Sequence, residues 1–230
     1  ISNLNRIRTS LINFGMKKTE IISREIYEIN PYSELEIFGD GLSLKVLNDF
    51  FIGKNPLDII IDEMDNLYLK VQLRILAKKL KVPVVMATDN GDNVVVDIER
   101  YDLDPKRRIF NTDIPEKELY SIGPSISKLD AAKIISRLVG VENIADKMIE
   151  SLLRLGSSLY SWPQLGTAAT VGGCAVAHVA RSILVGDKID EGKHFINIDK
   201  LFRMSDHNSP ALQKNRSDLQ RTFKEIFHVE

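Results

Sequence analysis

The sequence has little cysteine, little histidine and no long uninterrupted run of apolar residues. The single cysteine, Cys174, excludes an intrachain disulfide framework, and four histidines without any CxxC pair argue against a structural zinc site. No apolar run reaches the roughly 18 residues that are typical of a transmembrane helix, and the sequence shows no secretory signal. We therefore expect a soluble cytoplasmic protein without a transmembrane helix.

The sequence also lacks an excess of either charge. Lysine and arginine number 31 against 32 aspartate and glutamate residues, so the whole-chain charge favours neither nucleic acid nor a membrane surface as a partner. The 230 residues are 43% apolar, which is sufficient for a sizeable core. This length fits one large domain or a domain with an appendage.

The first hundred residues alternate between helical and strand patterns. Periodicity predicts helices over 16–30 and 42–51, and a third helix whose leucines are spaced four, three and four residues apart, at Leu69, Leu73, Leu76 and Leu80. Apolar runs predict strands over 35–38, 57–61, 82–86 and 94–98. The alternation predicts an α/β fold.

Two features of these strands indicate where a ligand would bind. The continuous run at 57–61 is typical of a strand buried on both faces, as in a parallel sheet, and the turn signal at 89–92 predicts a hairpin between the last two strands. Polar residues follow the strands, and ligands of open α/β sheets bind at the carboxyl ends of strands. The polar residues at these ends are Asp62, Asp65, Thr88 and Asp89.

The second half of the chain has a different character. Helical patterns at 128–138 and 143–155 predict a helical insertion or lobe over 102–162. A helix rich in small residues follows over 168–184, and its pair Gly172-Gly173 predicts close packing against another backbone. We expect 1–101 and 163–200 to form one domain, with a strand over 195–198, and 201–230 to form a tail with a helix near Leu219, Phe223 and Phe227.

An ordered set of short motifs carries the functional signal. Ser2-Asn3-Leu4-Asn5-Arg6 comes first, Gly15 to Lys18 opens the first helix, Asn30-Pro31 closes it, and Asp62-Glu63-Met64-Asp65-Asn66 follows a predicted buried strand. The set resembles the ThiF/MoeB/HesA family of ubiquitin-activating-enzyme-like adenylating enzymes. A glutamine of the family pattern is replaced here by Ile7. The resemblance covers residues 1–100 and extends to 163–200.

The resemblance implies a fold, a reaction and a site. The fold is a Rossmann-like, mostly parallel sheet with helices on both faces, and the reaction is the ATP-dependent adenylation of a carboxylate. Arg6 and Lys18 are implied to bind the phosphates, and Asp65 to bind Mg²⁺. The nucleotide is implied to have further neighbours at Asn3, Asp62 and Asn66.

The chemistry of adenylation suits these residue types. A carboxylate is joined to the α-phosphate and pyrophosphate is expelled, so catalysis depends mostly on positioning and electrostatics. An arginine fork binds two phosphate oxygens, and Mg²⁺ prefers one or two carboxylates together with phosphate oxygens and water. Lys17 is an equal candidate to Lys18 on charge alone, and Asp65-Asn66 could simply cap the next helix.

The resemblance also implies partners and a missing part. Members often activate the C-terminus of a small ubiquitin-like or sulfur-carrier protein, and they commonly form homodimers. Their glycine-rich phosphate loop and the acidic residue that holds the ribose would lie before residue 1, so we expect the chain to be N-terminally incomplete. Residues 102–165 contain no cysteine, which argues against a thioester-forming enzyme. We expect Cys174 to pack in the core and His178 to be buried and hydrogen-bonded.

Two other functions remain open at this stage. A non-catalytic scaffold protein of the same fold is allowed by the departure at Ile7 and by the unmatched stretch 102–162. A dinucleotide-binding oxidoreductase shares the strand and helix pattern. It is weakened by the lack of a recognisable catalytic set of histidine, lysine and tyrosine.

Overall fold

The computed structural model describes residues 5–7, 9–53, 55–160, 163–202 and 210–227. The helices are α1 (Lys18–Ile29), α2 (Leu44–Ile52), α3 (Leu67–Leu80), α4 (Glu116–Tyr120), α5 (Lys128–Val139), α6 (Asp146–Leu153), α7 (Gly166–Val185), α8 (Ile198–Phe202) and α9 (Pro210–Phe227). The strands are β1 (Ile60–Ile61), β2 (Val84–Asn90), β3 (Asn93–Glu99) and β4 (Gly192–Ile196). The predicted α/β class is confirmed.

The described strands form one sheet in the order β1-β2-β3-β4. Helix α3 connects β1 to β2, and these two strands pair in parallel, with Ile60 opposite Val84. The predicted hairpin is confirmed, because β2 and β3 pair antiparallel across Gly91, whose φ of +68° favours glycine. Strand β4 then adds antiparallel to β3. Among the described strands, the parallel part of this Rossmann-like sheet is therefore the pair β1 and β2, less than the mostly parallel sheet expected.

Helices cover both faces of the sheet, as predicted. Neighbouring residues of a strand face opposite sides, so Val84 packs with the α3 side of the core and Val85 with the α7 side. Val71 and Ala77 of α3 are fully buried on the first side. Val176 of α7 is buried on the second.

The two adjacent glycines of α7, Gly172 and Gly173, have different surroundings. A Cβ at Gly172 would lie 3.2 Å from the Cβ of Ala87 and 3.4 Å from a methyl group of Val94, so the helix approaches the sheet closely there, as predicted. Gly173 faces open space. By length and composition alone α7 is able to cross a membrane, contrary to our expectation. Because a helix packed on a sheet passes the same test, this is weak evidence for a membrane span.

A second core lies among the helices of the later part of the chain. Helices α5 and α6 confirm the two predicted helices, and α9 confirms the helix near the C-terminus. Phe223 and Phe227 of α9 stack at 4.2 Å between ring centroids and are buried with Met148 and Leu152 of α6. Helix α9 is therefore packed on the predicted insertion through an apolar face.

Two strand predictions differ from the structure. Residues 35–38 form no strand, although their apolar and acidic residues alternate. The predicted strand at 57–61 is reduced to Ile60 and Ile61, and Ile61 is 50% exposed. Among the described residues β1 pairs only with β2, so it is an edge strand and is not buried on both faces.

Candidate functional site

The predicted site residues after β1 lie in a loop that leads directly into α3. Asp62 is buried, Asn66 is the residue that caps α3, and Asp65 lies exposed between them. The carboxyl ends of β1 and β2 lie side by side because the two strands are parallel. This is the edge of the sheet at which open α/β proteins bind ligands.

Both carboxylate oxygens of Asp62 contact other groups of the protein. Its Oδ2 atom accepts a hydrogen bond from Arg74 Nη1 at 2.5 Å and lies 3.1 Å from Lys70 Nζ, while its Oδ1 atom accepts from the backbone of Met64 at 3.1 Å. Burial raises the pKa of Asp62, but the charges of Arg74 and Lys70 outweigh burial and hold the pKa below its usual value. The side chain thus shapes the loop, and its role in lining a nucleotide site stays a prediction.

Arg74 extends this contact into a buried network. Its Nε atom donates to Glu99 Oε2 at 2.7 Å, and its guanidinium carbon lies 3.9 Å from the centre of the Phe110 ring. Glu99 also accepts hydrogen bonds from the Tyr101 hydroxyl and, at 2.6 Å, from the backbone of Phe110. The network ties the loop after β1 to the end of β3.

Asp65 and Asn66 have different surroundings, and only the capping role is observed. The Oδ1 atom of Asn66 accepts a hydrogen bond from Leu69 N at 3.0 Å, so Asn66 caps α3. Asp65 is exposed, and it has no hydrogen bond or ion pair within the described residues. Its carboxylate is consequently open to a ligand at the start of α3.

Glu63 is a polar residue of this loop that the sequence did not single out as a site residue. Its Oε1 atom accepts a hydrogen bond from Ala87 N at 3.0 Å, which joins the loop to β2. Although the residue as a whole is exposed, burial of its carboxyl group raises the pKa to about 7. Its place in the motif that follows the predicted strand at 57–61 was the signal that could have identified it.

Arg6 lies next to Gly166, the first residue of α7. The amide of Asn5 donates to the carbonyl of Gln164 at 2.7 Å, and a Cβ on Gly166 would lie 2.5 Å from the carbonyl oxygen of Asn5. Burial raises the pKa of Asp89 in β2, while the positive charge of Arg6 opposes that rise. The fold therefore brings Arg6 within electrostatic reach of the polar end of β2.

The two lysines at the start of α1 differ in their contacts. Lys17 forms an exposed ion pair with Asp40 at 2.7 Å, and that hydrogen bond raises the pKa of the lysine. Lys18 is exposed and has no hydrogen bond or ion pair in the described part of the chain. Its phosphate role stays a prediction, and Asn3 lies outside the described residues.

An open cavity of about 620 Å³ lies at the start of α7, next to the segment that carries Arg6. It is lined by Asp92, Gly166, Thr167, Thr170, Val171 and Ile198. A second cleft of about 550 Å³ includes the basic run at 106–108. In that run Arg107 pairs with Glu191 and Arg108 with Asp113, so two of its charges are matched within the protein.

The carboxylates near β1 are compatible with a Mg²⁺ ion that is bound jointly by the protein and by phosphate oxygens. In the ranges that the structure describes, no three histidine, cysteine, aspartate or glutamate side chains form a metal-binding group. Mg²⁺ bound with phosphates needs only one or two protein carboxylates. The open carboxylate of Asp65 can supply one.

The predicted burial of Cys174 and His178 was wrong, whereas the predicted hydrogen bond of His178 is present. Both residues are exposed, on the α7 surface that does not pack on the sheet. His178 Nδ1 lies 3.1 Å from Arg181 Nη2, one turn along the same surface. The helix is rich in small apolar residues on all sides, so composition did not reveal which surface packs.

Comparison with known proteins agrees with the motif order. A model of the ThiF family matches residues 1–218. An uncharacterized protein of Mycobacterium tuberculosis (strain CDC 1551 / Oshkosh), MT1398, is 31% identical over 198 residues, which are 86% of this chain and 27% of that protein. The chain thus spans about a quarter of the length of this relative.

Proposed function

The chain belongs to the ThiF family, and from that premise we propose that the full-length protein activates a carboxylate by adenylation with ATP and Mg²⁺. The proposal rests on the family match and on the chemistry of the residues around β1 and β2.

The state of the Asp62–Asn66 loop is the observation that carries the proposal. Asp62 and Asn66 are held by Arg74 and by the backbone of Leu69, while Asp65 between them is exposed. A loop fixed at both ends holds one carboxylate in a defined place at the carboxyl ends of the strands, where open α/β proteins bind ligands. That is the arrangement that a metal–phosphate complex needs.

In the proposed reaction, an oxygen of the substrate carboxylate attacks the α-phosphorus of ATP. A bond forms between them, the bond from the α-phosphorus to the bridging oxygen breaks, and pyrophosphate leaves with the electron pair. Mg²⁺ held by Asp65 would neutralise charge on the phosphates. Arg6 binds phosphate oxygens through its planar fork, and Lys18 adds a second positive charge. Asn3, Asp62 and Asn66 are the proposed neighbours of the nucleotide.

The substrate and the assembly are further parts of the proposal. We propose the C-terminus of a small ubiquitin-like or sulfur-carrier protein as the carboxylate, a homodimer as the assembly and the cytoplasm as the location. No cysteine occurs in 102–165, so transfer of the acyl group to a thiol of that segment is not part of the reaction.

Exchange of labelled pyrophosphate into ATP tests the proposal on the full-length protein with candidate carboxylates. Asp65→Ala and Arg6→Ala should each reduce exchange by about a hundredfold, because each removes a group that binds the phosphates or their metal. Asp49→Ala is the matched control, since Asp49 is an exposed aspartate of α2. Exchange that is unchanged in Asp65→Ala contradicts the site, and no exchange with any candidate favours a scaffold function.

A further inference from the structure

The first residue of α7 makes an unusually close contact with the N-terminal segment. An ideal Cβ on Gly166 would lie 2.5 Å from the carbonyl oxygen of Asn5 and 3.7 Å from the Cα of Arg6. Real Cβ atoms do not approach other atoms to 2.5 Å, and here the obstructing atom belongs to the backbone. Any larger residue at 166 therefore has to displace the backbone of Asn5.

The need for glycine at 166 is steric and does not come from backbone conformation. Gly166 is absent from the positions with a positive φ, whereas Gly186, at the other end of the same helix, has a φ of +82°. An alanine could therefore adopt the backbone angles of Gly166. What an alanine cannot do is leave Asn5 where it is.

Asn5 is fixed by a second contact and in turn contacts Arg6. Its Nδ2 atom donates to the carbonyl oxygen of Gln164 at 2.7 Å, and its Oδ1 atom accepts from Arg6 Nη1 at 3.4 Å. The same amide thus binds the loop before α7 and one arm of the guanidinium. The positive charge of Arg6 also opposes the rise that burial causes in the pKa of Asp89 of β2.

We propose that Gly166 and Asn5 are positioning residues that hold Arg6 for phosphate binding. This inference rests on the proposed function, in which Arg6 binds the phosphates of ATP. A guanidinium held in place before the ligand arrives binds phosphate with a smaller loss of entropy. The contact joins residues about 160 positions apart, so it also explains how an N-terminal motif acts together with a late helix.

Trypsin cleavage at the Arg6–Ile7 bond tests the contact without any enzymatic activity. The full-length protein is compared with Gly166→Ala and Gly173→Ala, with the cleavage product measured by mass spectrometry. Gly173 is the matched control, because it lies in the same helix and a Cβ there meets no atom within 4 Å. We expect cleavage about tenfold faster in Gly166→Ala and unchanged in Gly173→Ala. Equal rates in all three proteins overturn the proposal.

Pyrophosphate exchange then tests whether the contact acts through Arg6. Gly166→Ala should reduce kcat/KM for ATP by about tenfold to a hundredfold, but should add nothing in an Arg6→Ala background. Independent, additive losses would contradict the positioning role. If the parent protein supports no exchange, the proposed function fails, while the trypsin comparison still decides whether Gly166 holds this segment.

Discussion

Arg74 offers the sharpest test of how the site is supported. Its side chain and those of Asp62 and Glu99 have no exposed area, and its guanidinium lies 2.5 Å from one carboxylate and 2.7 Å from the other. In the substitution Arg74→Met the aliphatic volume is largely kept and the charge is removed. Two buried carboxylates then lose their shared cation.

The expected cost follows from what remains around each carboxylate. Asp62 keeps Lys70 at 3.1 Å, whereas the remaining hydrogen bonds to Glu99 within the described residues come from the neutral donors Tyr101 and Phe110. The charge of Lys193 also acts on Glu99, but Lys193 forms no ion pair with it among those residues. Removal of one partner from a buried ion pair costs about 3 to 5 kcal/mol. We therefore expect Arg74→Met to lower the free energy of unfolding by at least about 3 kcal/mol.

Urea unfolding of the protein, followed by circular dichroism, measures this loss. The control is Arg137→Met, because Arg137 pairs with Glu118 where both side chains are partly exposed, and such pairs contribute about 1 kcal/mol or less. Adding Asp62→Asn and Glu99→Gln to Arg74→Met should restore part of the loss, since it removes the uncompensated charges. A loss below about 1 kcal/mol for Arg74→Met would refute the reasoning.

Two further predictions concern stability. Burial, followed by the charge of Glu99, raises the pKa of Asp97 to about 6. The folded protein thus binds this proton more tightly than the unfolded chain, so stability should fall by up to about 3 kcal/mol between about pH 4 and pH 6. Asp97→Asn should flatten that slope in urea titrations, and an unchanged slope contradicts the assignment. Phe223→Ala should cost about 3 to 5 kcal/mol by thermal or urea unfolding, because Phe223 is fully buried, whereas Ile226→Ala, at a 55% exposed position, should cost little. Equal losses would show that α9 does not pack through this face.

The parts of the fold that local sequence determines were predictable. The turn at Gly91 needs a positive φ, and the residues around it signal a hairpin by themselves. The helix that became α3 was also predicted, but its most buried residues include Val71 and Arg74, which the leucine spacing did not identify. An arginine is buried only with partners, and these partners lie 12 and 25 residues away. Nothing local to the helix indicates them.

The site, like the fold, has some features that local sequence predicts and others that arise only when distant segments meet. Capping by Asn66 depends on the three residues that follow it, so the motif alone suggested it. The contact between Asn5 and the start of α7 joins residues 159 positions apart, and only the folded chain brings them together. The exposure of Cys174 was missed because small residues occur all around α7 and a strongly polar side is lacking.

The products formed from ATP test the central claim most directly. The full-length protein is incubated with ATP, Mg²⁺, a candidate carboxylate and hydroxylamine to trap the activated acyl group, and the nucleotides are separated by chromatography. Adenylation predicts AMP and pyrophosphate in equal amounts, with both formed about a hundredfold more slowly by Asp65→Ala. Formation of ADP and inorganic phosphate, or of AMP at the same rate in Asp65→Ala, would contradict the account.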